Sequence, residues 1–421
     1  VWFFIKTVFL HLVISTQYQK LIKYLHIMSN KAVYIVSAKR TPIGSFGGSL
    51  SSLTAIDLGA HAAKAAIDQS GVSVDQIDEV FFGNVCSANL GQAPARQVAL
   101  KAGVSNRVPC TTINKVCSSG LKSVILGAQS IQVGVNQTVL TGGTESMSNI
   151  PYYLPNFRWG MKYGNGSAID GLQKDGLTDA YDQCAMGVCA DATAEKFDIS
   201  REQQDAFAIR SYQRVAEATE KGILSNEIEP IGIPQRKGDP IVMSEDEEYK
   251  NVKFDKIPSL RAAFSKDGTV TAANASTIND GAAALMLVSE EYLKLNNLTP
   301  LAKIIAYGEA AQEPQWFTTA PVLAAEVALK QAGISIEDID YFEVNEAFSV
   351  VTQAFVQSFN LDESKVNVFG GAVALGHPLG ASGARILVTL INVLRHNNKK
   401  LGMAAICNGG GGASSIIIER V

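Results

Sequence analysis

Three residues can act on one carbonyl compound. Cys117 lies in Asn114-Lys115-Val116-Cys117-Ser118-Ser119-Gly120, where an apolar, Thr-rich stretch gives way to a helical pattern. His377 lies in the Gly-rich run Gly370-Gly371-Ala372-Val373-Ala374-Leu375-Gly376-His377-Pro378-Leu379-Gly380, and Cys407 opens Cys407-Asn408-Gly409-Gly410-Gly411-Gly412. A cysteine at a helix start has its thiolate favoured by the helix dipole and by a nearby imidazole. A second cysteine flanked by free backbone N–H groups suits proton transfer beside an oxyanion. Together they point to acyl transfer through a thioester, followed by chemistry at the carbon next to a carbonyl. Asn345, in Asn345-Glu346-Ala347-Phe348, ends a strand pattern and starts a helical one. Its amide suits an oxyanion or a held water, with a helix N-cap as the alternative. Singly, each has a plainer reading: a small buried thiol, a structural imidazole, a tight glycine turn.

The elements that must position these residues occur twice. Ala62–Phe82 and Ala324–Val344 align in register with identities at Ala62/Ala324, Gln69/Gln331, Gly71/Gly333, Ser73/Ser335, Ile77/Ile339 and Asp78/Asp340. Each copy reads as an amphipathic helix, a Gly stop, a turn and a strand. Ser119-Gly120 and Ser382-Gly383 each open an apolar helix, and each helix leads to a strand. Those strands are expected to end in Gly-rich loops at Thr141–Thr144 and Cys407–Gly410. An offset of about 260 residues is too long for a solenoid and indicates a duplicated α/β layer domain. Cys117 and His377 are then expected to meet near the pseudo-two-fold axis.

Domains are expected at 29–148, 149–275 and 276–421. The middle stretch reads as a lid or surface excursion. It holds the aromatic run 152–159, a helix capped by Ser200, and a charged surface segment Ser244–Glu248. Residues 1–27 are apolar with three lysines and no acid; Met28 is expected to be the natural start, with a mitochondrial presequence or anchor as the alternative.

The 421 residues are 47% hydrophobic and 18% charged, an ordinary globular composition with net charge −4. No basic block supports a nucleic-acid partner. The six cysteines show neither zinc spacing nor a disulfide framework.

Taken in order and spacing, these motifs, with Gly142-Gly143-Thr144-Glu145-Ser146-Met147, resemble the thiolase family over residues 31–421. The resemblance implies an α/β fold of two βαβαβαββ halves in a layered α-β-α-β-α core, with an inserted loop domain. It implies an acyltransferase that condenses two acetyl-CoA to acetoacetyl-CoA and CoA, early in sterol precursor synthesis. A broader 3-ketoacyl-CoA enzyme of fatty-acid breakdown is the alternative; a decarboxylating synthase or an inactive scaffold fits the intact motifs less well. Cys117 would be the acylated nucleophile. His377 would activate it and help an oxyanion hole, Cys407 would be the acid/base, Asn345 would hold a water, and Gly409 would supply a second oxyanion N–H.

Coenzyme A contacts carry over to Leu177, Met186, Tyr212, Lys256, Phe264, Ala272, Ser276, Ala347 and Phe348. Some relatives bind potassium; the matching residues are Tyr212, Ala272, Ala273, Ala275 and Val373, with a hydrated loop as the alternative. No covalent or redox cofactor is implied. Relatives are homotetramers, dimers of dimers, and residues 149–175 match their tetramer contacts. Ala185-Met186-Gly187 replaces the His-Met-Gly of many relatives, which removes one polar contact to the pantetheine. That departure resembles cytosolic fungal and plant members, so a cytoplasmic location is expected, and Phe317 differs from the methionine of bacterial biosynthetic relatives.

Overall fold

The computed structural model describes residues 31–421; the leader and its proposed start at Met28 lie outside the described residues. Ten strands form the main sheet, nine of them in one continuous path. In the first half these are β1 (Val33–Arg40), β2 (Glu79–Gly83), β3 (Cys110–Ile113), β4 (Thr138–Ser146) and β5 (Asn279–Ser289). In the second they are β6 (Ala302–Ala311), β7 (Tyr341–Val344), β8 (Leu401–Asn408) and β9 (Gly412–Arg420). The order is β7-β8-β9-β6-β1-β5-β4-β2-β3, with a two-residue strand at Gly44–Ser45 beside β5. The halves join where β1 and β6 run antiparallel, Val33 opposite Ile304 and Ile35 opposite Ala302.

The duplication is visible down to single bonds. Helix α1 (Ala55–Ser70) is held at its start by a Thr54/Asp57 capping box and stops at Gly71, φ 73°. Its counterpart after the inserted segments ends at Gly333, φ 68°. The Asp78 carboxylate accepts from the N–H groups of Gln137 and Thr138, and Asp340 accepts likewise from Lys400 and Leu401. Each aspartate thus pins the strand after its repeat to the next strand of its own half-sheet.

Between the half-sheets lie α2 (Ser119–Gln132) and the later helix Leu379–His396, each touching strands of both halves. Helix α1 covers β1, β4 and β5 from one outside, and Ala320–Ala332 covers β6, β8 and β9 from the other. The layers are therefore α-β-α-β-α. Every residue from Leu379 to Leu394 is buried. The central helices approach backbone to backbone. A Cβ on Gly120 would stand 2.7 Å from the Ala384 nitrogen, and one on Gly383 would stand 2.4 Å from the Leu121 nitrogen. The two contacts are reciprocal: each glycine meets the backbone nitrogen of the residue that follows the other.

Three expectations are corrected. Thr141–Thr144 is no loop: β4 runs through it to Ser146, fully buried. Its glycines serve close approach, since a Cβ on Gly143 would lie 1.9 Å from the Gly380 oxygen. Asn279–Ser289 lies beyond the expected 275/276 boundary, yet it pairs with β1 and β4 of the first half. The segment Ser244–Glu248 is not simply a solvated surface. Asp246 is buried and binds the fully buried Arg40 at 2.7 and 2.9 Å, while Glu227 takes the Arg40 Nε at 2.6 Å. This buried cluster ties β1 to the excursion between β4 and β5. The Ser200/Gln203 capping box starts the excursion's long helix, Arg201–Glu220.

Candidate active site

Cys117 sits in a tight turn just ahead of α2. The preceding Val116 has φ 46°, left-handed and unfavourable for a β-branched residue. The turn is closed by the Ser118 and Ser119 N–H groups bonding to Lys115 and Val116 carbonyls at 3.1 and 3.0 Å. Helix dipole and imidazole do not leave a resting thiolate here. Burial pushes the Cys117 thiol up to about 12, although the N–H groups of Gly409 and of Cys117 itself both favour the anion. The two N–H groups that favour the anion come from the two halves of the duplication.

His377 follows Gly376, φ 104°, and its own N–H donates to Asn279 Oδ1 at 3.1 Å. Its Nδ1 lies 2.6 Å from Ser382 Oγ, and the Ser382 hydroxyl donates to the Pro378 carbonyl at 2.9 Å. With that hydroxyl proton committed, Nδ1 must carry the imidazole proton and donate to Oγ. Nε2 is left as a bare lone pair, buried, with no protein hydrogen-bond partner among the described residues. Burial, helped by the charge of Arg385, lowers the His377 pKa to about 3, so the ring is a neutral base.

Cys407 ends β8, fully buried in the apolar cluster of Phe317, Ala347 and Phe348. Burial, then the nearby Cys117, push its thiol well above the ordinary value. The turn after it needs glycine at Gly411, φ 84°, where a Cβ would meet the Gln312 oxygen at 2.2 Å. Asn345 is not a helix cap, because the next helix starts at Ser349 behind Phe348. Its Oδ1 accepts from Arg385 Nη2 at 3.3 Å and its Nδ2 lies 3.5 Å from His377 Nδ1.

Cys117, His377 and Gly409 open into one cavity of about 540 Å³. Leu177, Met186, Phe264, Ala272, Ser276, Ala347 and Phe348 line it, with Phe317 and Met147. The Phe348 ring meets Phe264 and Phe317 edge-on at 5.9 and 6.5 Å. Phe264 can lie over the start of helix Met186–Lys196 because residue 187 is glycine; a Cβ there would be 2.1 Å from the ring. Ala185 is that helix's N-cap and gives it no side-chain bond. Tyr212 and Lys256 do not reach this cavity. They line an adjoining one of about 280 Å³, which shares Glu248, Asn251, Ala272 and Thr277 with the first.

The five residues matched to a potassium site divide. Tyr212, Ala272 and Ala273 line the second cavity, Ala275 lines the first, and Val373 packs in one apolar cluster with Tyr212. Among the described residues, no group of three or more His, Cys, Asp or Glu is placed to hold a metal, and no helix is long and apolar enough to cross a membrane.

Sequence reading missed the supports. Ser382 and Asn279 orient His377. Glu145, buried in β4, accepts from the N–H groups of Val85, Cys86 and Gly380 and from Asn84, bracing both loops behind the cysteine. Burial raises its pKa to about 7, against the pull of those donors. Glu145 stood inside a quoted motif, but a carboxylate's burial is not written in local sequence.

Family models for the thiolase N-terminal and C-terminal domains match residues 33–291 and 298–420. The chain belongs to the thiolase family. Among thiolase relatives, an acetyl-CoA acetyltransferase of Schizosaccharomyces pombe is 56% identical over 395 residues, covering 94% of this chain and 100% of that protein. One of Saccharomyces cerevisiae is 57% identical, covering 92% and 99%. A Gibberella zeae relative named acetyl-CoA acetyltransferase ERG10, cytosolic, is 53% identical, covering 92% and 98%. The solved structure of Acat5 thiolase from Ascaris suum in complex with coenzyme A superposes with TM-score 0.89 at 49% identity, covering 93% and 100%. The Bacillus anthracis acetyl-CoA acetyltransferase superposes with TM-score 0.91 at 38% identity, with the same coverage.

Proposed function

We propose that this thiolase is an acetyl-CoA C-acetyltransferase that joins two acetyl-CoA into acetoacetyl-CoA and CoA, reversibly, through an acetyl-Cys117. The observation that carries this is the convergence of Cys117, a bare His377 Nε2 and the Gly409 N–H on one apolar cavity. His377 Nε2 takes the Cys117 proton as the sulfur attacks the thioester carbonyl. The new Nε2–H then donates to the developing oxyanion, beside a water held by Asn345. The C–S bond to CoA breaks and the leaving thiolate takes the Cys407 proton. The Cys407 thiolate next removes the α-proton of a second acetyl-CoA. That carbon attacks acetyl-Cys117 while the N–H groups of Cys117 and Gly409 hold the oxyanion, and the expelled Cys117 sulfur regains its proton from His377. Every proton is returned, and coenzyme A enters only as substrate and product.

The excursion 149–275 would supply the coenzyme wall, with Met186, Phe264 and the neighbouring Ser276 along the pantetheine and Lys256 and Tyr212 toward the nucleotide. A potassium ion at the second cavity would order the Ala272–Ala275 loop. The name of the Gibberella zeae relative, ERG10, cytosolic, supports a cytoplasmic role in sterol precursor supply, and the family's habit supports a homotetramer.

The test is thiolysis of acetoacetyl-CoA and of a medium-chain 3-ketoacyl-CoA, each with free CoA, with and without potassium. Turnover confined to acetoacetyl-CoA is expected. Comparable use of the longer substrate would favour the fatty-acid role. Cys117→Ser is expected to lose about a thousandfold or more in kcat; undiminished turnover would sink the covalent route.

A further inference from the structure

Helix α5, the central Leu379–His396 (α3 and α4 being Arg201–Glu220 and Ala320–Ala332), is buried along nearly its whole length, yet it carries Ser382, Arg385, Thr389 and Asn392. Spacings of three, four and three put them on one face. Three have evident work. Ser382 bonds His377, and Thr389 and Asn392 bond Glu227 at 3.0 and 2.9 Å. Arg385 is the unexplained member. Its Nε and Nη1 have no hydrogen-bond partner among the described residues, and Nη1 is 3.8 Å from Glu343 Oε2. Its one hydrogen bond goes from Nη2 to Asn345 Oδ1. Burying a guanidinium with so little compensation is costly where an apolar side chain would pack.

A guanidinium only donates, so the Asn345 atom that faces it must be the oxygen. The amide nitrogen is thereby turned to the His377 side. Without Arg385 the amide can flip and present an acceptor where an oxyanion or its water needs a donor.

We propose that Arg385 is a positioning residue, holding Asn345 with its amide N–H turned toward His377 and the reacting thioester. This rests on the reading of Asn345 as a donor given above. The charges that face Arg385 are Glu343, Glu346 and Glu227, with Arg40 opposing.

The experiment is a double-mutant cycle on the full-length enzyme with Arg385→Gln, Asn345→Ala and both. R385Q is expected to lower kcat about tenfold with KM within about twofold, and under about twofold in the N345A background. R385K, which keeps a donor, is expected to recover part of the loss. The acid limb of kcat/KM is expected to move up in pH in R385Q, because a positive charge that disfavours imidazolium is gone. E343Q/R385Q guards against a bare buried carboxylate and is expected to keep the R385Q loss. Losses that multiply in the double variant, or wild-type turnover in E343Q/R385Q, would overturn the proposal. A crystal structure of R385Q with Asn345 unmoved would overturn it whatever the turnover, whereas wild-type protein inert toward acetoacetyl-CoA would sink the functional reading instead.

Discussion

At the scale of the residue, the site rests as two neutral partners. Cys117 holds its proton and His377 carries only the one on Nδ1, both because burial disfavours charge. The histidine leaves a signature in stability. Its pKa is 6.5 unfolded and about 3 folded, so the unfolded chain binds the proton more readily between those values. Stability from this group is present above about pH 6.5 and is lost as pH falls toward 3. Urea midpoints at about pH 7.5, 5.5 and 4.5 should therefore fall more steeply for wild type than for His377→Asn; parallel slopes would contradict the buried neutral ring. A second residue-scale prediction concerns the acyl wall. Phe317 is 2% exposed and meets Phe348 across the cavity. Phe317→Ala should raise the ratio of six-carbon to four-carbon thiolysis by about tenfold, since each methylene of pocket space is worth roughly 1–3 kcal/mol.

At the scale of the element, the site depends on how closely α2 and α5 cross. They carry Cys117 and His377 just ahead of their first turns, so the crossing sets the spacing between the two. Gly383→Ala forces a methyl against the Leu121 backbone. It should cost about 1–3 kcal/mol in urea unfolding, as overpacking does, and should lower kcat with little change in KM for CoA. A fully stable and fully active G383A would show that the crossing has slack. Pattern alone went wrong at this same scale: Gly142 and Gly143 read as a loop, because glycine's usual reason is a turn. Here the reason is close approach: Gly143 meets the Gly380 oxygen of a helix more than two hundred positions away, and Gly142 meets the Ala283 oxygen of the neighbouring strand and the Phe82 ring.

At the scale of the whole molecule, the exposed aromatic run of the excursion stands out. Trp159 is 83% exposed and Tyr163 fully so, within the 149–175 stretch expected at tetramer contacts. Large exposed apolar side chains in one loop mark an interaction surface. For the proposed homotetramer, Trp159→Ser with Tyr163→Ser should shift the sedimentation profile from tetramer to dimer without loss of fold; an unchanged profile would move the interface elsewhere.

The candidate site residues Cys117, His377 and Gly409 that meet at one cavity, the duplication and the alternation of helix and strand were legible in the amino-acid sequence. They reside in local patterns: glycines beside a cysteine and a histidine, and two helix–turn–strand copies in register. Their meeting was legible only as an expectation. Tertiary structure alone decided the protonation of Cys117 and His377, the burial of Asp246 in a run that reads as surface, the place of β5 in the first half-sheet, and the supporting roles of Ser382, Glu145 and Arg385. The physical reason is common to all of these. Desolvation and hydrogen-bond partnership depend on which distant segments close over a group, and an identical side chain is a solvated charge or a buried support according to that closure.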